Sequence, residues 1–226
     1  MKSMTLATLL FSLACPSALA AELIIDDFTT GYTSQKGTKC GISDQTVLAS
    51  VPGEHRWIRS KVNDAPDCKE GNPFAQSVSA NIQPGLPLIV NNGYKVRSRT
   101  EIHYGRNNKG QQFPMNMDLT LGTGIPFYLE IMFASAATDL NLDLGVLTKN
   151  GKKRAGCITN VPSNANGFSV AFPLVKFKME NGMQPIDYQS ADFLSIAIQT
   201  ADGNFGVTRI KATSKPTSSA LKADCL

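Results

Sequence analysis

Leu140-Asn141-Leu142-Asp143-Leu144-Gly145-Val146 is the stretch that decides the fold of this chain. Aliphatic residues at 140, 142, 144 and 146 alternate with Asn141, Asp143 and Gly145. A period of two puts the aliphatic set on one face of an extended strand and the polar set on the other. The stretch runs into Lys149-Asn150-Gly151-Lys152. Asn-Gly supplies the positive φ angles of a tight hairpin turn, so the chain is expected to reverse there. The same reading extends in both directions. Short runs rich in Val, Ile, Leu and Phe are separated by clusters of Gly, Pro, Asn and Ser, and helical periodicity is nearly absent, which is the pattern of a β-sandwich or barrel. Further strands are expected at 23–28, 46–51, 55–62, 76–82, 94–104, 115–121, 127–133, 167–172, 193–200 and 207–212, with loops at 63–73, 105–112 and 160–167. Neither an internal repeat nor a linker divides the chain.

The first twenty residues read differently. Met1-Lys2 carries one charge, an apolar run follows from Leu6 to Ala14, and Ala18-Leu19-Ala20 ends the segment with small residues. That order is the pattern of a secretory signal peptide cleaved before Ala21. The apolar run is shorter than the roughly 20 residues a membrane-spanning helix needs, and no later segment approaches that length, so a secreted or periplasmic chain without a transmembrane segment is expected. A second reading takes Cys15 as a lipid acceptor; Ser12 and Pro16 fit that processing site poorly. The expected organisation is residues 1–20 as signal peptide, 21–213 as a single β domain and 214–226 as a polar tail. The tail contains Pro216 and several serines and is expected to be loose unless Cys225 is bridged.

Removing residues 1–20 takes away Lys2 and no acid, which lowers the formal charge of +4 by one, to +3. Such mild basicity permits anionic partners and is far from the signature of a nucleic-acid binder, so no nucleic acid is expected. Cys40, Cys68, Cys157 and Cys225 remain. In an exported chain they read as two disulfides, and three pairings are open. Cys40–Cys68 with Cys157–Cys225 is favoured, because the first closes a moderate loop and the second ties down the tail. No two cysteines have the C-x-x-C spacing of zinc sites.

Several motifs carry a family resemblance. Ile24-Ile25-Asp26-Asp27-Phe28 resembles the first strand of galactose-binding-like jelly rolls, such as certain carbohydrate-binding modules and domains of the complex I intermediate-associated type. Gly53-Glu54-His55-Arg56 resembles the Gly-x-x-Arg that opens an early strand in related secreted bacterial proteins. Asn116-Met117-Asp118-Leu119-Thr120, Val170-Ala171-Phe172-Pro173-Leu174 and Ala191-Asp192-Phe193 resemble later segments in the same order. The resemblance implies an all-β, antiparallel jelly-roll β-sandwich. It also implies that a glycan on the concave sheet, or a structural calcium ion, is common among relatives. Fold alone assigns no site. By the same resemblance the first strand runs near the last, so Asp27 and the Asp202-Gly203-Asn204 turn are expected to meet as a candidate calcium site, against the plainer reading of an ordinary turn and a strand end.

Alternation on two strands yields the candidate ligand-binding residues. His55, Trp57, Arg59 and Lys61 share one face of the first; Arg97, Arg99, Glu101 and His103, with Lys95, share one face of the second. On a common sheet these rows form a basic and aromatic surface, with arginines suited to carboxylate or sulfate and Trp57 suited to stacking on a sugar ring. The same rows also fit a merely solvated sheet face. Glu54 with His55, or Glu101 with His103, is the nearest approach to an acid–base pair, and no Gly-x-Ser-x-Gly, His-Glu-x-x-His or Walker motif is present. The sequence therefore points to an exported, non-catalytic recognition protein for a carbohydrate or another extracellular, acidic polymer. The alternatives are a secreted or envelope protein-interaction factor and, third, a polysaccharide hydrolase or lyase.

Overall fold

The computed structural model describes residues 21–35, 38–39, 41–64, 77–93, 96–148, 153–180 and 186–225. Residues 1–20, Cys40, Cys68 and the Asn150-Gly151 turn, on which some of the expectations above fall, lie outside them. The described residues form sixteen strands and a single 3-10 turn at Leu174–Lys176. In chain order the first eight are β1 (Glu22–Asp26), β2 (Thr33–Ser34), β3 (Thr38–Lys39), β4 (Ile42–Leu48), β5 (His55–Asp64), β6 (Ser77–Ile82), β7 (Leu88–Asn92) and β8 (Arg97–Tyr104). The others are β9 (Tyr128–Ala136), β10 (Leu140–Thr148), β11 (Lys153–Val161), β12 (Phe168–Pro173), β13 (Lys178–Met179), β14 (Phe193–Thr200), β15 (Phe205–Thr213) and β16 (Leu221–Lys222).

Two sheets pack face to face. The first runs β16-β12-β9-β15-β7-β6-β2, with β1 beside β15 and β3 beside β6; the second runs β13-β11-β10-β14-β8-β5-β4. Between β7 and β15 the chain changes sheet at every step save two, the β10–β11 hairpin and the short edge strand β13 that pairs with β11. The orders β12-β9-β15-β7 and β11-β10-β14-β8 that result are those of a jelly roll. The chain is a jelly-roll β-sandwich. Its core is built from the inward rows that alternation predicts: Leu140, Leu142, Leu144 and Val146 are all buried, as are Ile196 and Ile198 on β14 and Leu129 and Ile131 on β9. Each such side chain contributes roughly 1.5–3 kcal/mol by leaving water.

One polar cluster crosses this core. Asp26 lies on the first sheet; Arg56 and Tyr104 lie on the second, on β5 and β8, and all three are buried. Arg56 donates from Nε and Nη2 to the two Asp26 oxygens, each at 2.6 Å, and from Nη1 to the carbonyls of Thr30 and Gly31 at 2.9 and 3.0 Å. The Tyr104 hydroxyl donates to Asp26 Oδ2 at 2.7 Å and the Phe28 amide to Oδ1 at 2.8 Å. Both carboxylate oxygens thus receive two donors, which is what a buried charge requires. The Ile-Asp-Asp-Phe and Gly-x-x-Arg motifs meet here, and their shared content is one inter-sheet clamp.

Two strand expectations are corrected, and six strands were not expected. Residues 115–121 are not a strand: Asn116 and Leu121 have φ of 47° and 53°, and Asp118 accepts from the Thr120 and Gly122 amides, so a side-chain-capped turn wins over alternation. The strand expected at 46–51 begins earlier, at Ile42, and ends at Leu48, because Gly53 and Glu54 take positive φ and turn the chain into β5. Strands β2, β3, β7, β11, β13 and β16 lay outside the expected set. In β11 the inward row of Ala155, Cys157, Thr159 and Val161 includes a hydroxyl, and the outward row includes the exposed Ile158, so hydrophobic alternation does not show in its sequence. The tail was expected to be loose unless Cys225 is bridged, and Cys225 is bridged. Ser214 and Ala21 exchange backbone and hydroxyl hydrogen bonds, β16 pairs in parallel with β12, and Cys225 is disulfide-bonded to Cys157. Because Cys157 belongs to the second sheet and the tail to the first, this bond joins the two layers.

Candidate functional site

Strands β5 and β8 are antiparallel neighbours in the second sheet. Their register opposes Trp57 to His103, Arg59 to Glu101 and Lys61 to Arg99. The two rows read from the sequence therefore share one face, the outer one, since Ile58, Val62 and Ile102 point into the core. Arg97 is opposed to Asp64 beyond a register shift and lies near the far end of the face. The face continues over β14, β10 and β11, where Ser195, Ala197 and Gln199 stand opposite Gly145, Asp143 and Asn141, and Gly156, Ile158 and Asn160 follow. Asn141, Asp143 and Gly145 are the polar complement of the Leu140–Val146 row, so part of this extension was already written in the alternation. Ser195, Ala197, Gln199 and the whole of β11 were missed.

A ladder of alternating charge crosses the face. Arg99 donates from Nε to Glu101 Oε1 at 2.7 Å and from Nη2 to Asp143 Oδ2 at 3.2 Å. Arg154 reaches Asp143 Oδ1 at 3.5 Å and Glu180 Oε1 at 2.9 Å, and Arg59 stands 4.0 Å from Glu101. Small residues make the span feasible. Ala197 is paired with both Glu101 and Asp143, so it lies in the row that Arg99 must cross to bridge β8 and β10. A Cβ at Gly145 would meet Arg154 Nε at 2.8 Å and Ser195 Oγ at 2.9 Å, so the missing side chain there is what lets Arg154 lie down across the sheet.

Beside the ladder, Trp57 and His103 stack with ring centroids 4.2 Å apart. The His103 Nε2 is 3.2 Å from Glu101 Oε2, and its Nδ1 is 3.2 Å from Arg106 Nη2. A guanidinium only donates, so Nδ1 is the acceptor and the neutral ring carries its proton on Nε2, donated to Glu101. Burial lowers the His103 pKa more than Glu101 restores it, with the Arg106 charge also opposing protonation. Glu101 is held down to about 2, first by the His103 hydrogen bond and then by that of Arg99, against burial. Arg106 is placed by Gly105, whose φ of +85° turns the chain out of β8 and whose missing Cβ avoids the Asp192 carbonyl. Its guanidinium carbon is 5.4 Å from the Trp57 ring centroid.

Two depressions mark the face. One of about 260 Å³ is lined by Arg99, Glu101, His103, Arg106, Asp143, Leu147, Arg154, Ser195 and Ala197. The other, about 750 Å³, lies over the strand ends; four of its twelve lining residues are amides, Asn63, Asn141, Asn160 and Gln199, and the rest include Arg97, Asp139, Thr200 and the apolar Leu140, Val161 and Pro162. Arg99 in the first is paired with Gln199 in the second, so the two lie end to end along the strands.

Other expected site residues are placed differently. His55 stacks on Phe113 at 3.8 Å, and Lys61 is exposed at the β5–β4 margin. Trp57 does not offer two free faces for a sugar ring, because His103 covers one. Its buried indole N–H has no hydrogen-bond partner among the described residues. The two candidate calcium ligands do not meet. Asp26 pairs with Ile210, placing Asp27 near Arg209, whereas Asp202 precedes β15 by three residues, so roughly 20 Å of strand separates them. Asp27 instead accepts from the Thr29 amide and hydroxyl at 3.0 and 2.6 Å, and Asp202 sits in the turn into β15. Among the described residues no three His, Cys, Asp or Glu side chains gather as metal ligands.

No protein-family model and no curated protein matches the sequence. Solved structures with a similar fold include the family 11 carbohydrate-binding module of a cellulosomal cellulase of Clostridium thermocellum, at 13% identity and TM-score 0.39, covering 86% of this chain and 95% of that one. The family 11 module from the same organism in complex with a β-1,3-1,4-mixed-linked tetrasaccharide is similar at 14% identity and TM-score 0.40, covering 91% and 99%. An agarase is similar at 12% identity and TM-score 0.38, over 70% of this chain and 25% of its own. The jelly-roll assignment rests on the strand pairing given above.

Proposed function

We propose that the outer face of the second sheet binds a carbohydrate chain, and that the protein is an exported, non-catalytic recognition protein. The observation that carries this reading is the pair of depressions lying end to end along the strands of the second sheet, the larger of them with four amide residues in its lining. Amides present a donor and an acceptor from one planar group, and arginine and carboxylate pairs add fixed donors and acceptors. Sugar hydroxyls need that mixture, and strands hold it more rigidly than loops do.

The arginines on the ladder, with Lys61 beside them, make an acidic polymer acceptable as well as a neutral one. Glu101 is held ionised at any pH near neutrality. A glycosidase acid needs a raised pKa, so this carboxylate suits binding better than proton donation. The test is affinity electrophoresis against a panel of neutral and acidic polysaccharides, comparing wild type with Asn141→Ala/Gln199→Ala. Retention by wild type that the double variant loses supports the face as the site. Failure of wild type to bind any member of the panel would overturn the reading.

A further inference from the structure

The smaller depression has more positive than negative charge in its lining, and the excess is not spent. Its lining holds Arg99, Arg106 and Arg154 against Glu101 and Asp143. Arg99 is bonded to both carboxylates. Arg154 has a good partner in Glu180 and only a 3.5 Å contact to Asp143. Arg106 has no carboxylate within salt-bridge distance among the described residues, and its one hydrogen bond goes to a neutral imidazole. Half-buried, this guanidinium feels the Glu101 charge only through space, and four of its five N–H groups have no hydrogen-bond partner among the described residues. Arg106 and Arg154 also feel each other: burial lowers the Arg106 pKa, the Glu101 charge raises it, and the Arg154 charge lowers it further.

Sequence neighbours do not resolve this imbalance, and the geometry around it favours a ligand over a purely structural role. If Arg106 served only to fix His103, a single N–H on Nδ1 would suffice. Instead the side chain lies close to the Trp57 ring, which orients the guanidinium plane. Arg154 is laid flat by the absent Cβ of Gly145, and Ser195 adds a hydroxyl to the same lining.

We infer that this depression is a subsite for an anionic substituent of the bound glycan, a carboxylate or a sulfate ester, held between Arg106 and Arg154. The inference rests on the carbohydrate-binding reading and adds its substrate class: acidic polysaccharides, recognised at one sugar by charge while the amide-lined groove takes its neighbours.

The test is the Kd of the oxidised, full-length mature protein for polygalacturonate, which carries carboxylates, and for carrageenan, which carries sulfates. Each is set against its neutral counterpart, carboxyl-reduced or desulfated, at low and high salt. Wild type is expected to prefer one acidic polymer over its neutral form by about tenfold, and the better of the two identifies the substituent. Arg106→Gln and Arg154→Gln are each expected to abolish that preference and flatten the salt dependence, with a urea unfolding midpoint close to wild type verifying the fold. Arg106→Lys, which keeps charge and loses the fork, should recover only part of the preference. Equal affinity of wild type for acidic and neutral forms overturns the subsite and leaves the carbohydrate reading standing. An acid preference that survives both glutamine substitutions overturns the subsite as placed. Absence of binding to all four polymers overturns both.

Discussion

Arg56 is fully buried and yet has its charge answered at every side, and this sets what its loss should do. Replacing Arg56 with Leu leaves Asp26 as an uncompensated buried charge, a change that destabilises by about 3–5 kcal/mol. Tyr104→Phe removes one hydroxyl donor and should cost about 1–2 kcal/mol. Urea unfolding of the two variants checks the order and the size. The Glu101–His103 pair makes a second residue-scale prediction, in pH. Glu101 falls from an ordinary 4.5 to about 2 in the folded chain, so its contribution is complete above pH 4.5 and is lost as pH falls towards 2. His103 is lowered from 6.5, so the unfolded chain takes up its proton first and stability begins to decline as pH falls below 6.5. Both act in one direction. Urea midpoints followed downward from pH 7 should decline in two stages, and Glu101→Gln should remove the lower one.

Alternation is the level at which the sequence was most legible. Leu140–Val146 fixed the inward row of β10, and His55–Lys61 with Arg97–His103 fixed two outward rows that the register then brought together. What alternation could not give is which strands lie beside them. Pairing is set by non-local contacts, so the arrival of β14, β10 and β11 next to β8 depends on the jelly-roll path and not on any local signal. For that reason Arg99 was seen and its partner Asp143 was not joined to it. That one face of Trp57 is covered was not legible for a related reason: the residue that covers it, His103, comes from the adjacent strand. The gaps on the face are as informative as its charges. Gly145→Ala places a methyl against the far ends of Arg154 and Ser195 and not against backbone. It should leave stability within about 1 kcal/mol of wild type, since flexible ends can move. It should nonetheless weaken acidic-polymer binding, by displacing Arg154. Paired denaturation and binding measurements separate the two effects.

On the scale of the whole molecule, the two sheets are joined by three kinds of attachment: the apolar core, the Asp26–Arg56–Tyr104 clamp, and the Cys157–Cys225 bond. The last closes a segment 68 residues long, and by chain entropy its removal should destabilise by about 4 kcal/mol. Cys157→Ala/Cys225→Ala, compared with wild type by urea unfolding, measures this. Loss well under 1 kcal/mol would mean that β16 and the Thr217–Glu130 contact hold the tail unaided. Four cysteines in one exported-looking sequence left three pairings open, with Cys157–Cys225 in the favoured one; that this bond would staple opposite layers follows only from where β11 and the tail end up.

That attachment also governs how the domain would carry a load. β16 meets β12 over only two residues, and hydrogen bonds in such a short parallel run come apart one after another when pulled. A pull applied at the C-terminus does not reach them first. It passes through the Cys225 sulfur to β11, in the middle of a nine-residue pairing with β10, so a covalent bond hands the load to a long ladder. If the sheet face grips a polymer while the C-terminal end is held elsewhere, the bond makes the domain a tether that resists peeling.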